Sequence, residues 1–195
     1  MRLCVSDECC LDEDALKDVV DCASRVKALI GSVLSRAPSI DQSALRDSEA
    51  IYYAALKVVG AARALSARVK NLRTLRELQD VDTVVNTFVN TLNRLVEIRN
   101  LIQRLAETLQ DAGIDSGVEA LNKCIEIINS RSVLVSSIAL HTIHELPNIS
   151  RDHCGKLASA IGTALFAALL SLTSQRVREA LAKCFPRRYT AHRGP

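Results

Sequence analysis

Aliphatic residues recur along most of this chain at alternating spacings of three and four, and no other feature limits the fold as strongly. Because an α-helix has 3.6 residues per turn, such a series lies along one helix face. The average step is close to 3.5 residues, which favours helices that pack at shallow, left-handed angles in a bundle. The longest series runs through Val81, Val84, Phe88, Thr91, Leu95, Ile98, Ile102, Leu105, Leu109 and Ala112.

Residues that interrupt helices, together with a predicted N-cap at Asp80, divide this pattern into five segments. Prolines stand at positions 38, 147 and 186, and Gly113 and Gly117 mark a further break. Proline is rarely found inside a helix, and glycine commonly follows the last helical turn. The predicted helices span 12–36, 40–79, 81–112, 117–145 and 150–184. The residues expected to cap them are Ser39 with Gln42, Asp80, Gly113, Ser116 with Glu119, and either Asn148 or Ser150.

The composition agrees with a helical fold. Hydrophobic residues make up 48% of the chain, but aromatic residues only 3%, and there are just seven glycines. A β-sandwich needs aromatic and β-branched strands separated by frequent turns, so no strand is predicted. Short connections between long helices make antiparallel neighbours. We therefore expect an all-α fold, an elongated up-down bundle of four to five long antiparallel helices at 12–185, between an N-terminal cysteine-containing segment at 1–11 and a basic tail at 186–195.

The cysteine pattern favours a reducing compartment. The number of cysteines is odd, no CxxC motif occurs, and no paired spacing suggests a disulfide scaffold. No apolar signal-peptide core follows Met1. We therefore expect a protein of the cytoplasm or another reducing intracellular compartment, with small and mostly buried thiols. The cysteines are Cys4, Cys9, Cys10, Cys22, Cys124, Cys154 and Cys184.

Motifs that carry catalysis are missing from the sequence. It contains no phosphate-binding loop, GxGxxG, GxSxG or HExxH motif. Scarce aromatic residues also argue against a small-molecule pocket. We therefore expect a protein that is not an enzyme, has no cofactor and binds no small-molecule substrate.

One cluster is a candidate zinc site. His141 and His144 share a helix face, and the turn at Pro147 brings His153 and Cys154 back towards them. Three imidazoles and a thiolate are a suitable tetrahedral ligand set for zinc. The alternative is that these histidines are polar residues at the corner between the fourth and fifth helices.

The fifth predicted helix contains a long uncharged stretch, Leu157 to Gln175. Its length is close to that needed to cross a bilayer, and basic residues follow it. A helix that is apolar all round also suits the centre of a bundle. Both interpretations, a buried core helix and a membrane-inserting helix, stay open.

The second predicted helix carries a series of small and aliphatic residues: Val58, Ala61, Ala62, Leu65, Val69 and Leu72. Over residues 58–72 this series resembles the LxxAAxxVxxxVxxL pattern of vinculin-binding helices in talin-like rod bundles. Val58 replaces the leucine of that pattern, and Arg73 stands where the pattern prefers an apolar residue. The resemblance implies a helix that binds a partner bundle through its apolar face. The alternative is an ordinary core stripe.

Two further surfaces are candidates for partner binding. A second apolar series on the third helix, Val85, Val89, Leu92 and Val96, would be a protein-binding patch if it were exposed. The basic tail, with Arg187, Arg188 and Arg193, could make a salt-sensitive contact with nucleic acid or another anion.

Together these features predict a non-enzymatic helical bundle of the adaptor or scaffold type that acts through protein–protein interaction. The first alternative is a self-assembling coat or filament subunit, whose partner would be another copy of the chain. The second alternative is a membrane-associated helical protein that uses residues 157–175.

Overall fold

The computed structural model describes residues 3–6, 9–11, 14–37, 40, 42–69, 78–146 and 149–185. In these residues the expected all-α bundle is confirmed, but with six helices where four or five were predicted. The elements are β1 (Leu3–Ser6), β2 (Cys9–Leu11), α1 (Lys17–Arg36), α2 (Ser43–Val69), α3 (Leu78–Asp111), α4 (Asp115–Glu145), α5 (Arg151–Leu169) and α6 (Gln175–Cys184).

Helices α1 to α4 form a closed ring in which each helix packs against the next and α4 packs back against α1. Ion pairs on the outside of the ring show the antiparallel register. Asp47, near the start of α2, pairs with Arg104, near the end of α3 (3.2 Å). Asp18, at the start of α1, pairs with Arg131, in the second half of α4 (2.7 Å). Helix α5 then lies against α3 and α4, and α6 lies against α4.

Most of the aliphatic series that the sequence indicated form the core, but Ala112, the last residue of the longest series, is exposed after the end of α3. Helix α3 contacts α2, α4 and α5, so its side chains are buried on more than one face. Phe88, Leu92 and Ile98 are at most 1% exposed. The series of α1 is also buried: Val19, Ala23, Val26, Ile30 and Val33.

Gly113 ends α3 as predicted, in a left-handed conformation with φ 71°. Its N–H donates to the carbonyl of Gln110 (3.0 Å), and the N–H of Ile114 donates to the carbonyl of Leu109 (2.9 Å). This is the double hydrogen bond of a Schellman cap, and glycine adopts its φ without strain. The carbonyl of Ile114 then accepts from Gly117 and Val118, so α4 begins immediately.

Several predicted caps are wrong. Helix α4 begins at Asp115 with Ile114 as its N-cap and no side-chain capping bond, so Ser116 and Glu119 form no capping box. Helix α3 begins at Leu78, so Asp80 is not its N-cap. Ser39 lies outside the described residues. Ser150 caps α5 as predicted.

The prediction of a single fifth helix at 150–184 is wrong, because α5 ends at Leu169 and a separate helix, α6, starts at Gln175. A succession of tight turns joins them, with the N–H of Ser171 bonded to Ala168 and that of Ser174 bonded to Ser171. Serine and threonine side chains compete with the helix for backbone hydrogen bonds. In addition, the amide of Asn129 on α4 donates to the Ser171 hydroxyl (2.7 Å) and holds the turn.

The expectation of no strand is also wrong. Strands β1 and β2 form an antiparallel hairpin, with Leu3 opposite Leu11 and Cys4 opposite Cys10. The hairpin packs against α4 and α6. Its short length and single strand pair explain why a periodic pattern was not visible in the sequence.

Three disulfides correct the expectation of a reducing compartment. Cys4 pairs with Cys10, Cys9 with Cys184, and Cys22 with Cys124. Disulfides form and persist in oxidising environments, so the predicted cytoplasmic or reducing localisation is wrong. The prediction failed because two of the bridges join cysteines 102 and 175 positions apart, which sequence spacing does not reveal.

None of the helices in the described ranges is long and apolar enough to cross a membrane.

Two glycines provide a test of helix packing. A Cβ at Gly117 would lie 2.6 Å from Cδ1 of the buried Leu109, whereas a Cβ at Gly31 on α1 meets nothing within 4 Å. Replacing an unhindered helical glycine by alanine stabilises a protein by about 0.5–1 kcal/mol. We expect this gain for Gly31→Ala. For Gly117→Ala we expect a loss of about 1 kcal/mol, because overpacking outweighs the backbone term. Urea denaturation measures both, and equal stabilisation by the two variants would contradict this packing.

Candidate functional site

The face of α5 that points away from the bundle is the most distinctive surface of the described chain. The opposite face packs against α3 and α4 and buries His153, Leu157, Ala160, Ile161, Ala164 and Ala168. The surface named here the outer α5 face consists of exposed residues of the helix and of the turn that follows it. Its members are Gly155, Ala158, Ser159, Gly162, Phe166, Leu169, Leu170 and Leu172.

Large apolar side chains are concentrated at the C-terminal end of the outer α5 face. Phe166 is 66% exposed, Leu170 63%, and Leu169 and Leu172 45% each. At about 200 Å² for a fully exposed large side chain, these four expose roughly 400 Å². The largest apolar patch on a monomeric protein is typically about 300–600 Å² and often functional. The patch therefore falls within the range of the largest apolar patches found on monomers.

The N-terminal half of the outer α5 face is made of small residues. A Cβ added to Gly155 or to Gly162 would meet nothing within 4 Å. With Ser159, Phe166 and Leu169, these glycines follow the same alternating steps of four and three as the core stripes. Another helix is able to approach such a surface closely, because no long side chain keeps it away.

The start of α5 is fixed to the bundle through His153. The Ser150 hydroxyl accepts from the N–H of His153 (3.2 Å), and the Ser150 N–H donates to Nδ1 of His153 (3.4 Å), which together form a capping box. The other ring nitrogen, Nε2, lies 3.2 Å from Oδ1 of Asp82 on α3. The buried imidazole thus joins the first turn of α5 to the first turns of α3.

Charge is present only at the start of α5. Asp152 and Lys156 form an exposed ion pair (2.7 Å), and the hydrogen bond from Lys156 lowers the pKa of Asp152. From Leu157 to Gln175 no residue carries a charge. The outer α5 face is therefore a neutral surface bordered by a polar end.

The four predicted zinc ligands differ in their burial and in the contacts that they make. His141 is exposed near the end of α4 and pairs with Glu145 (3.5 Å), and His144 is also exposed. His153 is buried and takes part in the capping box, whereas Cys154 is exposed and is not in a disulfide. Among the described residues, no group of three or more His, Cys, Asp or Glu side chains is arranged to hold a metal ion.

The predicted partner-binding residues of α2 and α3 belong largely to the core of this monomer. Among the described side chains, the fully buried members are Val58, Ala62, Leu65, Val85 and Leu92. Ala61, Val89 and Val96 are partly buried. The side chain of Val69 and the whole of Leu72 lie outside the described part of the structure, as do Arg187, Arg188 and Arg193. The series on α3 is therefore not an open patch, since α2, α4 and α5 pack against that helix and its members are buried or partly buried.

A groove of about 560 Å³ lies between α4 and α6 and carries charges of both signs. Arg131 in its wall is bound by the carboxylate of Asp18 through Nε and Nη2 (2.7–3.0 Å). Glu179 accepts from Gln175 (2.8 Å). Because its charges are of both signs and partly paired, this groove favours neither an anionic nor a cationic ligand.

Sequence reasoning identified the uncharged stretch at 157–175 but not its exposed side. The signal that marks the exposed side is the small-residue series at Gly155, Ser159 and Gly162, which lies opposite the buried series of the same helix. Small residues at such spacing are typical of close helix–helix contacts.

The chain matches no protein-family model, no curated protein and no solved structure. A helical bundle hosts many unrelated functions, so the fold alone transfers none. The functional argument rests on the surface that the fold exposes.

Proposed function

We propose that this protein is a non-enzymatic helical bundle of the adaptor or scaffold type, which acts through protein–protein association at the outer α5 face. The observation that carries the proposal is the exposure of Phe166, Leu169, Leu170 and Leu172 together on one neutral surface. Removing such side chains from water is the main favourable term in protein association.

The surface is also held in a fixed shape. His153 ties the start of α5 to α3, and Asn129 holds the turn after α5 through Ser171. Binding to a surface that is already ordered loses less conformational entropy, so more of the contact energy contributes to affinity. The aromatic ring of Phe166 is moreover the side chain of this patch that offers the largest apolar area to a partner.

The composition of the face supports a protein partner over a lipid surface. Helices that lie on membranes carry a strongly basic polar face beside large apolar side chains. Here the face opposite the exposed residues is packed against α3 and α4. Its glycine and serine half offers little area for insertion into lipid, but is suited to contact with another helix.

Site-specific photo-crosslinking tests the proposed function. A benzoylphenylalanine replaces Phe166 in the full-length, disulfide-bonded protein, and a matched variant carries it at Tyr53, an aromatic residue of α2 that is 60% exposed. We expect discrete protein adducts after irradiation in the native environment with the Phe166 variant and none with the Tyr53 variant. Adducts with lipid alone at position 166, or no adduct, would contradict the proposal.

A further inference from the structure

We infer that the occupant of the outer α5 face is the same face of a second copy of this chain, packed antiparallel about a two-fold axis near Gly162. This inference rests on the proposed function and specifies its partner. A two-fold dimer uses one patch on both subunits, so that patch has to be complementary to itself.

The outer α5 face has this property because its two halves differ in size. Small residues occupy the half before the axis, at Gly155, Ala158 and Ser159, and large residues occupy the half after it, at Phe166 and Leu169. In an antiparallel pair, residues equally far from the axis on opposite sides meet. Phe166 then meets Ala158 of the second copy, and Leu169 meets Gly155 of the second copy.

A parallel pair would not fit equally well. It would place Phe166 against its own equivalent and leave a gap between facing glycines at the other end. Close packing of large against small side chains is what excludes water and gives an interface its dispersion energy. The antiparallel arrangement provides that contact twice, once on each side of the axis.

The area of the face is sufficient for such a dimer. The four large side chains and the exposed small residues together present roughly 600 Å² per subunit, or about 1,200 Å² for the pair, which is the lower end of the range for specific interfaces. Interfaces at this lower end are typical of weak, transient complexes, so we expect a dimer that forms reversibly and depends on concentration.

Electrostatics also permits the contact. No charged side chain between Leu157 and Gln175 would have to leave water when the two faces meet. Unpaired charges at the centre of an interface are strongly unfavourable. Arg151 and Asp152 lie beyond Gly155, farther from the axis. Lys156 lies beside Gly155 on the flank of the face, where its exposed ion pair with Asp152 leaves it in water at the rim.

Sedimentation velocity of the purified, oxidised protein over a range of concentrations tests the inference. We expect a monomer–dimer equilibrium that Phe166→Asp weakens by about 30-fold or more, as for a hot-spot residue. Tyr53→Asp changes a comparably exposed aromatic residue on α2 and is expected to leave the equilibrium unchanged. A monomer at every concentration, or equal effects of the two variants, would overturn the inference.

Disulfide trapping tests the antiparallel geometry. In a Cys154→Ser background, which removes the exposed free thiol, Gly162→Cys places a thiol beside the two-fold axis. Gly60→Cys on α2, where a side chain also meets nothing within 4 Å, is the matched control. We expect covalent dimers under mild oxidation for Gly162→Cys and not for Gly60→Cys. Gly155→Cys, which is equally unhindered, distinguishes the orientation, because an antiparallel pair keeps its two thiols about 20 Å apart along the helix, whereas a parallel pair brings them together. Covalent dimers of Gly155→Cys, or equal yields from Gly162→Cys and Gly60→Cys, would refute the geometry.

The outcomes separate the inference from the proposed function. A strictly monomeric protein whose residue 166 crosslinks to a different protein would overturn the second-copy inference and leave the proposed function standing. A protein that neither dimerises nor crosslinks at residue 166 would overturn both.

Discussion

Removal of the Cys9–Cys184 disulfide is expected to lower the free energy of unfolding by about 5 kcal/mol. The bridge joins cysteines separated by 175 positions, so it restricts the unfolded chain far more than a short loop would. Both side chains are buried, and alanine is therefore the appropriate replacement. Urea denaturation of the Cys9→Ala, Cys184→Ala double variant measures the loss as a fall in the transition midpoint.

The Cys4–Cys10 bridge provides the matched control. Its two cysteines are only 6 positions apart and lie opposite each other in the β-hairpin. The same chain-entropy relation gives about 2 kcal/mol for the Cys4→Ala, Cys10→Ala double variant. Equal losses for the two double variants, or no loss for the long-range pair, would contradict the role assigned to the long-range disulfide.

Leu92→Ala is expected to lower the free energy of unfolding by about 3–5 kcal/mol, because it opens a cavity in the core. Leu92 is 0% exposed and belongs to α3, the helix that packs against α2, α4 and α5. If its side chain served instead as an exposed partner-binding group of the free protein, truncation would leave stability almost unchanged. Thermal and urea unfolding measure the difference.

Leu56→Ala removes the same atoms from a leucine of α2 that is 44% exposed. We expect a change within about 0.5 kcal/mol for this control. Comparable effects of Leu56→Ala and Leu92→Ala would show that α3 is not the centre of the bundle.

The parts of the fold that were predictable are those determined by helical period. The buried series of α1 and α3 follow steps of three and four, and Gly113 ends α3 because its left-handed φ suits glycine. The break after Leu169 was not predictable in this way. It contains neither proline nor glycine, and it depends on a hydrogen bond from Asn129, which is 42 positions away from Ser171.

The candidate site was predictable only in part, because its exposed side also depends on contacts between distant parts of the chain. The lack of charge at 157–175 indicated a special surface, but a stretch without charge does not show which of its sides is buried. The packing of α5 against α3 and α4 determines which side of the stretch is buried. The disulfides were missed because pairing between distant cysteines follows from the tertiary fold and not from their spacing.

Hydroxyl-radical footprinting of the intact, oxidised protein at increasing concentration tests the central claim most directly. The account predicts that Phe166 and the leucines around it lose reactivity as the concentration rises, while Tyr53 on α2 stays equally reactive throughout. Reactivity at Phe166 that does not change with concentration, in parallel with Tyr53, would contradict association of two copies through the outer α5 face.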